Sequence, residues 1–292
     1  MYESYPVKFL KPAFISLFST YSFILGFVST QKILSEGVSL IDLGWWLSNV
    51  PFTLLLISLL ALKSMPRTQP NLPWVSFPML SGVLLMIIAV GNGAEVTRLQ
   101  VISVVIMAIG YILYLTWYSR LEKRHADSVR IGQELPEFSL LSSEGEKWSS
   151  HQLVGAPTIL LFYRGNWCPL CVAQIKELAS EYQQIAALGA RVLLISPQPE
   201  SHSQALAKKM NAPMEFMTDK DHQASRTLGI AVKNGIPLGM EILGYDSESV
   251  LPMVMITNSF GQLIWMDQTD NYRVRPEPST FIKVLQEITQ AQ

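Results

Sequence analysis

The chain has 292 residues, 49% of them hydrophobic, a formal net charge of −1 and two cysteines. A near-neutral chain without a long basic run lacks the positive footprint of a nucleic-acid binder, so no nucleic-acid partner is expected. Two cysteines three positions apart are too few and too close for a disulfide-stapled secreted scaffold.

These averages hide a break in composition. Residues 1–119 carry six basic and four acidic side chains, and residues 120–292 carry sixteen and nineteen. The first part contains four uncharged windows, and transmembrane helices are expected at about 12–30, 43–62, 74–92 and 99–119, each close to the ~20 residues that cross a bilayer. Trp45, Trp46, Trp74, Trp117 and Tyr118 lie near window ends, where interfacial aromatics sit. Lys8 and Lys11 ahead of the first window also fit a signal peptide.

Lys8 and Lys11, then Lys63 and Arg67, then Arg120, Lys123, Arg124 and Arg130 fall on one side of a four-span layout, with only Lys32 and Arg98 opposite. Basic loops stay on the cytoplasmic side. The expectation is a multi-pass cell-membrane protein whose lipid partner is the bilayer and whose C-terminal domain is cytoplasmic. Losing one span would put that domain across the membrane. Residues 1–119 contain neither cysteine nor histidine, so this part relays no electrons by thiol exchange and reads as an anchor. Asn49 lies within a span, Glu95 and Arg98 beside one, and Ala89-x-x-x-Gly93 has the spacing of a helix-packing motif.

A charged connector at 120–130 leads to an α/β domain at 131–292. Thr158–Tyr163 reads as a buried strand that runs into Arg164–Cys171, and Val172–Leu188 reads as one amphipathic helix with Ile175, Leu178, Tyr182 and Ile185 on a face. Strands are expected at 190–196, 214–218, 253–257 and 262–266, and helices at 201–210, 222–228 and 278–289, around a central mixed sheet. A Cys-x-x-Cys pair is either half a zinc site or a dithiol. His125, His151, His202 and His222 have no metal-binding spacing, so no metal is expected.

The run Phe162-Tyr163-Arg164-Gly165-Asn166-Trp167-Cys168-Pro169-Leu170-Cys171 resembles the active-site segment of peroxiredoxin-like proteins of the AhpC/TSA family, in the thioredoxin-like superfamily. The likeness extends over about 131–288, through Gly132–Phe138, Thr218–Asp221 and Asp270–Pro276. It implies a thioredoxin-like fold and a thiol oxidoreductase or antioxidant enzyme. Typical members have threonine three residues before the reactive cysteine. Here Gly165 stands there, and Trp-Cys-Pro-x-Cys leans toward dithiol chemistry.

Cys168 is the expected nucleophile, at a helix N-terminus where unpaired N–H groups favour a thiolate, and Cys171, one turn on, is the resolving thiol. Pro169 suits the first helical position. Trp167 and Arg164 are supporting candidates, Arg164 through its charge or as a solvated edge. By resemblance Pro252 is a candidate cis proline facing the pair. The Arg273 and Arg275 pair reads preferentially as a solvated face, the histidines as surface or capping residues, and Asp219 as a turn former.

The expected reaction reduces a peroxide or a disulfide with no cofactor beyond a redox-active Cys168–Cys171 disulfide, and a thioredoxin-like or glutathione donor restores the dithiol. Alternatives are a non-enzymatic redox sensor or assembly factor, and an extracytoplasmic thiol-maturation protein.

Overall fold

The computed structural model describes residues 5–61, 69–121 and 129–291. Lys63, Arg67, Lys123, Arg124 and His125 lie outside these, as does the side chain of Lys8. The chain divides into two compact units, a helical one made of Leu10–Leu62 and Gln69–Arg120 and another that contains Leu121–Gln292.

The first unit contains α1 (Tyr5–Glu36), α2 (Leu40–Ala61), α3 (Pro73–Gly91) and α4 (Arg98–Leu113), with one wider π turn at Tyr114–Tyr118 extending α4. Each expected window falls in a helix long and apolar enough to cross a membrane. The unit is turned inside out relative to a water-soluble bundle. Leu17, Phe27, Phe77, Leu80 and Ile87 are exposed on its outside, whereas Ser22, Ser48, Asn49, Thr53, Gln100 and Ser103 are buried.

Buried polar groups need partners in such an interior. Ser22 and Thr53 share a 2.7 Å hydrogen bond, Gln100 Nε2 donates to Asp42 (2.9 Å) and Trp45 Nε1 donates to Ser103 (2.7 Å). Trp45 is thus a core residue rather than an interfacial one. Glu95 lies in the turn between α3 and α4, and Thr97 with Gln100 forms a capping box at the start of α4. Helices α2 and α3 approach closely at Gly44 and Gly82, where a Cβ on Gly82 would stand 2.5 Å from Gly44 O. Gly93 has open space around it, so Ala89-x-x-x-Gly93 is not the packing motif.

The second unit contains β1 (Ser139–Ser142), β2 (Lys147–Ser149), β3 (Thr158–Phe162), α5 (Pro169–Ser180), α6 (Tyr182–Ala187), β4 (Arg191–Ser196), α7 (Glu200–Met210), β5 (Glu215–Thr218), α8 (Gln223–Thr227), β6 (Ala231–Val232), β7 (Ser249–Val250), β8 (Met253–Thr257), β9 (Leu263–Asp267) and α9 (Pro278–Ala291). The main sheet has the order β2-β1-β5-β4-β3-β8-β9. Strands β3, β4 and β5 are parallel, and β8 and β9 add antiparallel on the far side. All five residues of β3 are buried, as a strand with neighbours on both edges and helices on its faces requires.

The expected helix at 172–188 is broken. Glu181 (φ −99°, ψ 4°) separates α5 from α6, and no proline or glycine marks the break. The β1–β2 hairpin and the small β6–β7 pair were not among the expected strands. Asp219 is a buried cap, its two carboxylate oxygens accepting the Ala224 and Ser225 N–H groups at 2.7 and 2.9 Å. His222 is buried rather than on the surface, and it stands at the capping position of α8 with a left-handed backbone (φ 55°) and no side-chain cap bond.

Candidate active site

Strand β3 delivers the site. Tyr163 N still donates to Ile195 O (2.9 Å), and the chain then leaves the sheet at Gly165. Gly165 has φ +137°, and an added Cβ would stand 2.9 Å from Trp167 Nε1. The backbone and the indole together require glycine where threonine is typical. Gly165→Thr is therefore expected to destabilise the domain by roughly 1–3 kcal/mol without raising turnover, checked by thermal unfolding and a peroxide assay. A stable variant with increased peroxide turnover would contradict this.

Cys168 is the N-cap of α5 and Pro169 opens the helix. Cys168 Sγ accepts the Cys171 N–H at 3.3 Å, so one unpaired donor of the helix start points at the sulfur. Both cysteines are free thiols. Cys168 is 3% exposed and Cys171 fully buried.

The loop is held from β4. Asn166 N donates to Gln198 Oε1 (2.8 Å), and Gln198 Nε2 donates to Tyr163 Oη (3.0 Å), Asn166 Oδ1 (3.1 Å) and Ser203 Oγ (3.1 Å). Burial pushes the Tyr163 phenol well up, so it stays neutral. Arg164 stacks 4.5 Å from the centre of the Trp167 ring and donates to Gly235 O. It is half-buried beside the dithiol rather than a solvated sheet edge.

Arg275 is the larger correction. It is 2% exposed, with Nε donating to Tyr272 O (2.8 Å), Nη1 to Gln174 Oε1 (3.2 Å) and Nη2 lying 4.0 Å from Cys168 Sγ. Arg273 is also buried. The segment after β9 folds back over α5, which turns an apparently solvated pair inward. Gln174 and Gln198 had no sequence signal beyond a polar residue among apolar ones. For Arg275 the signal was present in the Asp270–Pro276 likeness.

The charge settles on the pair as a unit. Burial pushes Cys168 well up, reinforced by its hydrogen bond to Cys171 and the charge there, against the pull of Arg275 and Arg164. Burial also opposes ionisation of Cys171, but the hydrogen bond from Cys168, Arg275 and the Arg164 N–H bring it down to about 5. At neutral pH the site therefore holds one proton and one negative charge between two sulfurs.

Pro252 is not a cis proline, since no cis peptide bond occurs among the described residues. Leu251 N bonds Ile230 O (2.7 Å) and Met253 pairs with Phe162 directly after it, so the chain passes extended from β7 into β8. His151 is exposed, and no group of three potential metal ligands occurs among the described residues.

A strand, a Cys-x-x-Cys helix N-cap and a buried arginine on a mixed sheet define a thioredoxin-like dithiol domain. Residues 131–266 match the AhpC/TSA family. A peroxiredoxin bcp of Coxiella burnetii is 31% identical over 105 residues, covering 36% of this chain and 70% of that protein. The chloroplastic peroxiredoxin Q of Populus jackii is 27% identical over 142 residues, covering 48% and 66%. The thiol-disulfide oxidoreductase ResA of Halalkalibacterium halodurans is 20% identical over 168 residues, covering 57% and 82%. The chain belongs to the AhpC/TSA family of thiol-dependent oxidoreductases.

Proposed function

We propose that the protein is a membrane-anchored thiol peroxidase in which Cys168 attacks a hydroperoxide and Cys171 resolves the product. The observation that carries this is Arg275, whose guanidinium lies 4.0 Å from Cys168 Sγ in a water-poor site. There a fixed positive charge stabilises both the attacking thiolate and the oxygen that leaves.

The Cys171 thiolate takes the Cys168 proton as Cys168 Sγ attacks the terminal oxygen of ROOH. The O–O bond breaks, Cys168 becomes a sulfenic acid, and the alkoxide recovers the proton from Cys171 and leaves as ROH. Cys171, again a thiolate, attacks the sulfenic sulfur and expels hydroxide, which a solvent proton converts to water. The Cys168–Cys171 disulfide is then reduced by a thioredoxin-like or glutathione donor, which is oxidised in turn.

A second reading, reduction of a protein disulfide by the same pair, is favoured by Gly165 and by the likeness to ResA. The full chain in proteoliposomes, supplied with a dithiol donor, separates the two. Consumption of alkyl hydroperoxide with formation of the intramolecular disulfide supports the first, and oxidation by a disulfide substrate alone supports the second. A pair that neither oxidant converts would overturn both.

Anchoring rests on the apolar exterior and buried polar interior of the helical unit. The basic clusters of the sequence favour a cytoplasmic dithiol domain. An export-dependent reporter fused after Gln292 should be inactive, and an active reporter would move the domain across the membrane and favour thiol maturation there.

A further inference from the structure

Cys168 caps α5, and Cys171 and Gln174 follow it at steps of three, a spacing at which residues share a helix face. Gln174 is 1% exposed. Its carboxamide meets two groups of the segment after β9: Oε1 accepts from Arg275 Nη1 at 3.2 Å, and Nε2 donates to Pro276 O at 3.3 Å. The helix that carries both sulfurs thus also holds the guanidinium that faces them.

These two partners select the residue type. Arg275 Nη1 needs an acceptor and Pro276 O needs a donor, and among straight side chains of this length only a carboxamide supplies both. A carboxylate would accept from Nη1 but turn a second oxygen toward Pro276 O. It would also bring a full negative charge to Arg275, as the ordinary ion-pair partner of a guanidinium. The neutral amide leaves that charge to the sulfurs. Burial works against the charge on Arg275, and Cys171 and Cys168 restore it.

The guanidinium is a rigid planar fork, so fixing two of its nitrogens fixes where the third points. Nε donates to Tyr272 O (2.8 Å), Nη1 is held by Gln174, and Nη2 lies 4.0 Å from Cys168 Sγ. The other titratable groups near the pair are Arg164, Tyr163 beside Cys171 and Tyr272 beside Arg275.

We propose that Gln174 is a positioning residue for the dithiol: its neutral carboxamide aims the Arg275 guanidinium at Cys168 Sγ and leaves the charge of Arg275 to the two sulfurs. This role concerns the resting thiolate and holds whether the oxidant is a peroxide or a disulfide.

The full chain in detergent, reduced and titrated by the ultraviolet absorbance of the thiolate against a chain with both cysteines changed to serine, tests this without any oxidant. The wild-type midpoint is expected at about 5. Gln174→Glu should raise it by about 1–3 pH units, the size of shift that an adjacent charge produces. Gln174→Met, uncharged and similar in length, should raise it by less, because Arg275 keeps its charge and loses its aim. In the Arg275→Met background, Gln174→Met should add no further shift, since a residue that acts through Arg275 then has nothing left to position. Gln183→Glu, the same change of charge at an exposed position of α6, should leave the midpoint in place.

A Gln174→Glu midpoint that stays at the wild-type value, with only the melting temperature lowered, would make Gln174 a packing residue and overturn the proposal. So would an additive shift in the Gln174→Met, Arg275→Met double variant, or an equal shift in Gln183→Glu. If Gln174→Glu does not fold, the Gln174→Met shift and its disappearance in the double variant decide the same question. Absence of peroxide turnover in the wild-type chain would defeat the peroxidase reading and leave these titrations untouched.

Discussion

Cys168→Ser lowers hydroperoxide and disulfide turnover by at least about 10³-fold, because the remaining thiol, Cys171, is fully buried within the first turn of α5. The substitution is nearly isosteric, and the serine hydroxyl still accepts the N–H that the sulfur accepts from Cys171 at 3.3 Å. The helix cap therefore survives and the loss is chemical. Cys171→Ser behaves differently. Without the charge on Cys171 that raises it, Cys168 keeps the pull of Arg275 and Arg164, and one equivalent of oxidant should be consumed. The sulfenic acid or mixed disulfide then persists for lack of a resolving thiol. Rapid mixing with hydroperoxide, followed by mass spectrometry of the Cys168 peptide, distinguishes the two. A Cys168→Ser variant that keeps turnover would transfer the nucleophile role to Cys171.

Arg275→Met should have the second-largest effect, with a signature in pH. The first proton leaves the wild-type pair at about 5, so the thiolate is fully formed at neutrality, and the rate should be flat above about pH 6 and fall below 5. Removing the guanidinium removes a main force opposing burial. The value then rises toward or beyond the ordinary thiol range near 8.5, and at pH 7 only a few per cent of the pair is ionised. Adding the lost stabilisation of the leaving oxygen, turnover at pH 7 should fall about 10²-fold and climb as pH is raised through 8 to 9. Arg275→Lys retains charge but not the bonds to Tyr272 O and Gln174 Oε1, and should restore much of the pH profile and only part of the rate. Circular dichroism controls for folding, since two acceptors are left unpaired at about 1–3 kcal/mol each. A pH profile unchanged in Arg275→Met would show that the Cys168 hydrogen bond, Arg164 and the helix terminus set the thiolate without Arg275.

Much of the site was readable because its parts are adjacent in the chain. A buried β-rich run, a tight turn and a Cys-Pro-x-Cys helix start follow one another within Thr158–Cys171, and each is recognised by local chemistry. The four apolar helices were readable for a similar reason, since a span length and an absence of charge are properties of a segment. Helix α9 was legible from its period and its opening proline.

The partners that make the dithiol reactive come from elsewhere. Arg275 is 107 positions from Cys168 and Gln198 is 32 from Asn166. A charged residue between polar neighbours looks solvated until the fold turns it inward. The geometry at Pro252 could not be read locally either, because strands on both sides decide it. Nor could the break at Glu181, the β1–β2 hairpin or the burial of Trp45, which all depend on what packs against them.

By itself the sequence determined that a Cys168–Cys171 dithiol stands at the head of a helix, in an α/β domain that follows four long apolar helices. Spacing and hydrophobic period are carried by neighbouring residues. Only the tertiary structure decided where the charge on that dithiol resides. Burial raises the cost of a thiolate and Arg275 lowers it, and both depend on distances that exist only once the chain has folded back on itself.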